Sequence, residues 1–361
     1  MKAGRSLEDL AREITRQQEA KEDLVADTVV MAVNSYDGTL HGKTMLALED
    51  SRAGSNREFE LQDLAHDQIA DVYGIPRQYY HRLQQQVPSL LDANVNGWFR
   101  AQPKRRMVRT LDGRARAFLS DRYRRLDNGD MAEAVLPVLL KTSGLSVESS
   151  EITDRRLYIK AVTRRRTVDI ALHDPVMAGI VISNSEVGLG AVAVEPLLFR
   201  LACYNGMIVK DLAMKQYHLG RRVESDDLMA LFRDETMKAD DRALWLKIQD
   251  VVAGVLQDDK VFDLLVERAQ TAAGRHVEDP IHAVEVLAKR ESLADHEKSS
   301  ILGYLAAGGE PTAWTLANAV TRYAQDVDSY DRATELEALG GKIITLPASE
   351  WRQIATEEVA A

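Results

Sequence analysis

Between residues 97 and 125 the chain reads GWFRAQPKRRMVRTLDGRARAFLSDRYRR, where ten side chains are lysine or arginine against two acids, Asp112 and Asp121. That is a net of +8 in a protein whose formal charge is −10. Charge this dense repels itself unless something anionic shares the surface. The bases are Arg100, Lys104, Arg105, Arg106, Arg109, Arg114, Arg116, Arg122, Arg124 and Arg125, with Trp98, Phe118 and Tyr123 interleaved. Cations that follow a phosphate backbone, beside ring faces on which bases stack, are the two parts of a single-strand binding surface. The same composition also allows internal pairing, because arginines bind carboxylates of their own fold and this chain has acids to spare.

Further on, Arg155, Arg156, Lys160, Arg164, Arg165 and Arg166 follow one another with no acid between 155 and 166. Two basic ribbons in one domain could line one groove. Asn184, Ser185 and Glu186 form a polar trio between apolar runs, which reads as a turn or as a functional loop. Gly188 and Gly190 lack the third glycine of a dinucleotide fingerprint and the Lys-Ser/Thr of a P-loop, so a hairpin tip is expected there. The eight histidines are dispersed, without HExxH or Cys/His pairing, and no metal site is expected. Cys203 sits in an apolar run, as a buried and inert thiol does. No catalytic residue and no cofactor is assigned, and an enzyme is not the favoured expectation.

The elements that must position these residues alternate between strand pairs and helices. An amphipathic helix is expected over 7–24, then β-type runs at 28–33 and 44–48 joined by a tip containing Tyr36, Asp37, Gly38, His41 and Gly42. Helices follow from Leu61 to Gly74 and from Pro76, where proline suits a first turn. Asp112-Gly113 favours a tight hairpin between 107–111 and 114–119. Strand alternation then puts Ala115, Ala117 and Leu119 on one face and Arg114, Arg116 and Phe118 on the other. A helix over 127–140 would kink or end at Pro137. Strand pairs are expected at 145–152 with 155–163 and at 179–183 with 191–194. A helix over 195–206 should stop at Asn205-Gly206, and 207–210 returns to the sheet.

Beyond residue 222 apolar residues recur at helical spacing, with helices near 261–272, 280–290, 294–307 and 312–326, a small strand at 342–346 and a terminal helix from Ser349. The fold class expected is α+β: antiparallel β-hairpins with helices packed across the sheet, then a mostly helical C-terminal domain. Composition divides the chain into 1–60, a basic core at 61–222 and an acidic region at 223–361. The last carries 27 acids against 14 bases, while the rest carries 29 against 32. A single cysteine, no apolar leader and no apolar run of membrane-spanning length point to a cytoplasmic protein that enters no membrane.

Several blocks resemble the phage and plasmid family catalogued as domain of unknown function 932, over roughly 61–346. They are Gly74-Ile75-Pro76 with Tyr79-Tyr80, Asn94-Val95-Asn96 with Trp98, and the run from Arg116 through Ala117, Phe118, Leu119, Ser120 and Asp121 to Tyr123. Others are Ile182 through Gly188, Cys203-Tyr204-Asn205-Gly206-Met207, and Trp314 through Thr321. Element order and charge are also similar to the Rad52-like single-strand annealing proteins. That resemblance implies an oligomer holding one DNA strand along a basic groove, on fold-level analogy alone.

The expected function is therefore binding of single-stranded DNA or RNA, with strand annealing and recombination by a homo-oligomer. Contacts are assigned to Trp98, Lys104, Arg105, Arg106, Arg109, Arg114, Arg116, Phe118, Arg122, Tyr123, Arg124, Arg125, Lys160, Arg164, Arg165 and Arg166. Two alternatives stand: an enzyme on a small anionic or nucleotide substrate using Asn184, Ser185 and Glu186, and a protein-binding accessory factor.

Overall fold

The structure, a computed structural model, describes residues 1–35, 43–50, 55–190, 192–210 and 234–355. The chain divides into two compact units, and neither is one run of sequence. The smaller is Ala11–Arg125 with Ser185–Leu189, and the larger is Met1–Leu10, Leu126–Asn184 and Gly190–Ala361.

α1 (Leu7–Ala20), which belongs to the smaller unit from Ala11 on, gives way there to β1 (Lys21–Asp27), so the expected helix ends before Leu24. The KEDLVAD run does not alternate cleanly, with adjacent Asp23 and Leu24 both half-buried, and pairing with β5 (Arg105–Leu111) overrides helical propensity. β2 (Met31–Ser35), β3 (Thr44–Asp50) and β4 (Ser55–Leu61) follow, then α2 (Asp63–Val72), α3 (Arg77–Gln86), α4 (Pro88–Ala101), β5 and β6 (Arg114–Ser120). The six strands lie in the order β1-β5-β6-β4-β3-β2. Every pairing is antiparallel except the short β4–β6 contact at Glu60↔Arg114 and Leu61↔Ala115. Residues on both sides of the expected 60/61 boundary thus share one sheet. The tip residues Tyr36, Asp37, Gly38, His41 and Gly42 lie outside the described residues.

α4 is a helix that the turn-like residues Asn94-Val95-Asn96-Gly97 conceal, since it runs straight through them. Its Leu91, Val95 and Phe99 recur every fourth residue and are buried, joining Leu46, Phe59, Ile69, Tyr80 and Val108 in one core. Its polar side chains serve the edge strand. The Val33 amide donates to Asn96 Oδ1 (2.7 Å), Asn96 Nδ2 donates to the Val33 carbonyl (2.8 Å), and the Ser35 amide donates to Asp92 Oδ2 (2.8 Å). Edge groups that would otherwise template another strand are satisfied from within.

The larger unit carries α5 (Asn128–Lys141) and β7 (Leu145–Ile152), β8 (Leu157–Asp169), β9 (Pro175–Asn184), β10 (Ala193–Arg200) and β11 (Asn205–Ile208). This sheet is antiparallel in the order β11-β10-β9-β8-β7. Pro137 does not end α5; it is exposed within the helix, where water can satisfy the carbonyl it frees. The expected helix over 195–206 is strand, turn and strand, with Tyr204 at φ 52° in the turn. Leu197, Leu198 and Phe199 are all buried, so the run is covered on both faces and carries no alternation to betray a strand.

The helices are α6 (Asp234–Gln257), α7 (Asp259–Ala273), α8 (Pro280–Glu291), α9 (Asp295–Ala307), α10 (Ala313–Tyr323), α11 (Tyr330–Thr345) and α12 (Ala348–Ala355). The strand expected at 342–346 is the end of α11. Gly340 and Gly341 do not punctuate it. A Cβ at Gly341 would collide with the Ile208 carbonyl of β11, so the glycines let helix and strand backbones approach. The architecture is α+β with a helical C-terminal region. The boundary expected at 222/223 lies outside the described residues. No helix among the described residues is long and apolar enough to cross a membrane.

Candidate functional site

The β5–β6 hairpin turns at Asp112 and Gly113, both at positive φ (52° and 76°), as a tight primed turn requires. Just beyond it the register slips: Thr110 faces Ala115 while Arg109 faces Ala117, which leaves Arg116 as an extra residue. A bulge of this kind reverses the alternation of side chains past it. Ala115 and Phe118 therefore enter the core under the helices, while Ala117 and Leu119 join Met107 and Val187 in a second cluster on the opposite face. The expectation that Arg114, Arg116 and Phe118 share a solvent face is corrected by this one inserted residue. Phe118 is 2% exposed and stacks on Phe99 with ring centroids 6.0 Å apart, so it offers no face to a base.

On the bulged face five charged side chains meet around Glu186. Arg109 is wholly buried. Its Nε and Nη2 donate to the two carboxylate oxygens of Asp23 (2.7 and 3.1 Å), and its Nη1 donates to the Glu186 carbonyl (2.9 Å). Arg116 donates to one Glu186 carboxylate oxygen, and Lys21 stands 3.4 Å from the other. Arg125, half-exposed, reaches Asp23 at 3.3 Å. The loop that brings Glu186 here is pinned along its backbone. Tyr123 donates its hydroxyl to the Ser185 carbonyl (3.0 Å), and Gln68 donates to the Val187 carbonyl (2.8 Å) while accepting from the Phe118 amide (2.7 Å). Gly188, at φ 84°, packs against Leu119. Asn184 belongs to the larger unit, where its Nδ2 donates to the Leu126 carbonyl and to Asn128 Oδ1.

Apart from Arg114, the remaining cations of the stretch gather at one end of the same sheet, where β5 begins and β1 and β6 finish. Arg105 lies across from Asp27, and Arg106 lies across from Ser120. The Thr28 amide donates to the Lys104 carbonyl and the Lys104 amide donates to the Thr28 hydroxyl, which itself donates to the Phe99 carbonyl and so ties the last turn of α4 to this end. Lys104 Nζ caps the Val72 carbonyl (2.7 Å) above the Tyr73 ring. Arg106 lies over the Phe118 ring; burial lowers its pKa, with the charges of Tyr73 and Asp121 opposing. Arg105 and Arg122 are exposed, as are Arg100 and Trp98 at the end of α4, and Arg124 is half-buried. Arg114, at the far end of the hairpin, stands 3.5 Å from Glu60.

In the larger unit, Lys160 is wholly buried, with Nζ 2.6 Å from Glu337 and 3.0 Å from the Thr334 hydroxyl. Arg109 and Lys160 are thus corrected from phosphate ligands to internal ion pairs. Residues 163–166 of β8 bulge opposite Ala178 alone. Arg164 is exposed there, Arg165 donates to the Leu256 carbonyl (3.4 Å), and Arg166 pairs with Asp263 (2.6 Å) over the Phe262 ring.

A family model described as Domain of unknown function (DUF932) matches residues 117–339, well over half of the chain. The chain belongs to that family. No curated protein and no solved structure matches it. The DUF932 match takes in the end of β6 and the Glu186 loop, while Gly74-Ile75-Pro76 and the Asn94 block fall before it.

Sequence reasoning missed Lys21, Asp23 and Gln68. Lys21 and Asp23 stand two apart in what proves to be a strand, which puts them on one face; reading that run as helix hid the signal. It also missed a chain of polar contacts on α2 and α3. Gln84 Nε2 donates to His66 Nε2 (3.1 Å), so His66 Nδ1 carries the hydrogen toward the Tyr80 hydroxyl (2.9 Å). The two ring nitrogens of His81 face Gln84 Oε1 (3.2 Å) and Asp67 Oδ1 (2.8 Å). Two acceptors suit the protonated ring.

Proposed function

We propose that this protein binds single-stranded nucleic acid through its phosphates, at the basic end of the six-stranded sheet. The carrying observation is the clustering there of Arg100, Lys104, Arg105, Arg106 and Arg122, with Asp27 and Asp121 among the acids close by. Trp98 adds a partly exposed ring, 36% accessible, on the adjoining helix end, where a base can stack. The buried network is not the contact surface. Its arginines already hold Asp23 and Glu186, which speaks against an anionic substrate held between Glu186 and those arginines.

The test is a fluorescent single-stranded oligonucleotide titrated at rising salt. If about four of these cations meet phosphates, the logarithm of affinity falls with the logarithm of salt at a slope of about −3. Affinity that is absent or indifferent to salt removes the proposal. Its finer form is a cytoplasmic, phage- or plasmid-type homo-oligomer that anneals complementary strands. Light scattering on a sizing column, with and without single-stranded DNA, followed by a strand-annealing assay, tests that form.

A further inference from the structure

In the larger unit, α8, α11 and α12 line a half-open pocket of about 270 Å³. Its floor is aliphatic: Leu287 from α8, Leu339 and Ile343 from α11, then Leu346 and Ile354, every one buried. Its rim carries four charges, of which two cancel, since Lys342 Nζ lies 2.6 Å from Glu291. The other two remain open to a ligand. Arg290 donates to Gln353 Oε1 at 2.7 Å, a neutral acceptor, and Glu350 has no ion-pair partner among the described residues.

We propose that this pocket binds a free aliphatic α-amino acid, its carboxylate on Arg290, its ammonium on Glu350 and its side chain on the leucine and isoleucine floor. One cation and one anion above an apolar floor match a zwitterion with a hydrocarbon tail, and a guanidinium accepts a carboxylate through paired N–H donors. A polar tail is excluded because the floor offers it no hydrogen-bond partner. The volume lies below the roughly 300 Å³ where pockets for larger ligands begin, so the molecule is small.

The test uses the full chain and three probes in calorimetric titration: L-leucine, isocaproate, which keeps only the carboxylate, and isoamylamine, which keeps only the ammonium. Leucine should bind saturably, and each single-charge analogue about tenfold more weakly, as the loss of one charge-assisted hydrogen bond predicts. Arg290→Gln should weaken leucine about tenfold and leave isoamylamine unchanged, and Glu350→Gln should weaken leucine likewise and leave isocaproate unchanged. Both side chains are exposed, and circular dichroism checks that both variants are folded. No saturable leucine binding, three probes that bind alike, or folded variants that bind leucine like the parent would overturn the assignment.

Discussion

The arginines of residues 97–125 divide into two populations that the sequence does not distinguish. Arg109 and Arg116 turn into the fold and are held by Asp23 and Glu186, while Arg105 and Arg122 remain in solvent at the end of the same sheet. The difference lies in the surroundings rather than in the arginine. The inward pair meets carboxylates that come from far away in the chain, and a buried guanidinium is tolerable only when such a partner is fixed in place. The outward pair faces water, where any ion pair contributes little and the guanidinium can turn to a ligand at small cost.

The sharpest way to break that contrast is to remove the shared acid. Glu186→Ala leaves Arg116 and Lys21 facing a deleted acceptor in a dry site, and the loss should be about 3–5 kcal/mol in urea unfolding. Arg105→Ala, on the surface, should stay within about 0.5 kcal/mol. If the two variants lose equal stability, the buried network does not hold the fold.

Histidines on α2 and α3 repeat the contrast in a titratable form. Burial, helped by the His81 charge, pushes His66 down to about 4, against the attraction of Asp63 and Asp67. At His81, burial also lowers the pKa, but hydrogen bonds to Gln84 and Asp67 outweigh it and the net direction is up. Between about pH 6.5 and pH 4 the unfolded chain takes up a proton at residue 66 that the fold refuses, so stability falls as pH drops through that window. The loss attributable to His66 is on the order of 3 kcal/mol. His81 acts with the opposite sign: what it contributes is present below pH 6.5 and lost as pH rises through its raised value. Urea midpoints at pH 7 and pH 4.5 for the parent and His66→Gln check this; an unchanged difference between them would mean that His66 is solvated.

A third break targets the loop that delivers Glu186. Gly188 sits at φ 84°, and a Cβ there would lie 2.6 Å from Leu119 Cδ2. Gly188→Ala should therefore cost about 2 kcal/mol through strain and crowding, less than deleting the carboxylate because the loop can shift while keeping its ion pairs. A thermal melt that matches the parent would show that the loop is looser than its packing implies.

Much of this was legible from the residues alone, and the failures share one cause. The Asp112-Gly113 hairpin, the strand pairs near 145–163 and the helices α7 to α10 follow local rules of turn chemistry and periodicity, whereas α11 is missed and its end reads as a strand. The Arg116 bulge does not, since a one-residue register slip leaves no trace in composition yet moves Phe118 from an expected solvent face to the core. Nor could the run EPLLFR announce itself as β10, because burial on both faces erases alternation. The candidate site was half visible. Basic charge was plain, but its neutralisation by Asp23, Glu186 and Glu337 depends on pairings across 70 to more than 170 residues of chain, which no window of sequence contains.

The smallest expected effect, and the one that separates ligand binding from folding, belongs to the exposed population. Arg105→Ala with Arg122→Ala removes two cations from the basic end. Oligonucleotide affinity should fall about tenfold, near 1.4 kcal/mol, and the salt slope should become shallower by about 1.4, or about 0.7 for each phosphate that is no longer neutralised. The fall should be similar for every sequence, since phosphate contacts carry no base information. Unfolding should be unaltered, because neither side chain is buried. Arg109→Ala should show the converse, losing stability while any remaining folded fraction keeps the parent's salt slope. If Arg109→Ala lowers the slope and the Arg105/Arg122 pair does not, the nucleic acid reaches the bulged face instead, and the ion network must open to admit it.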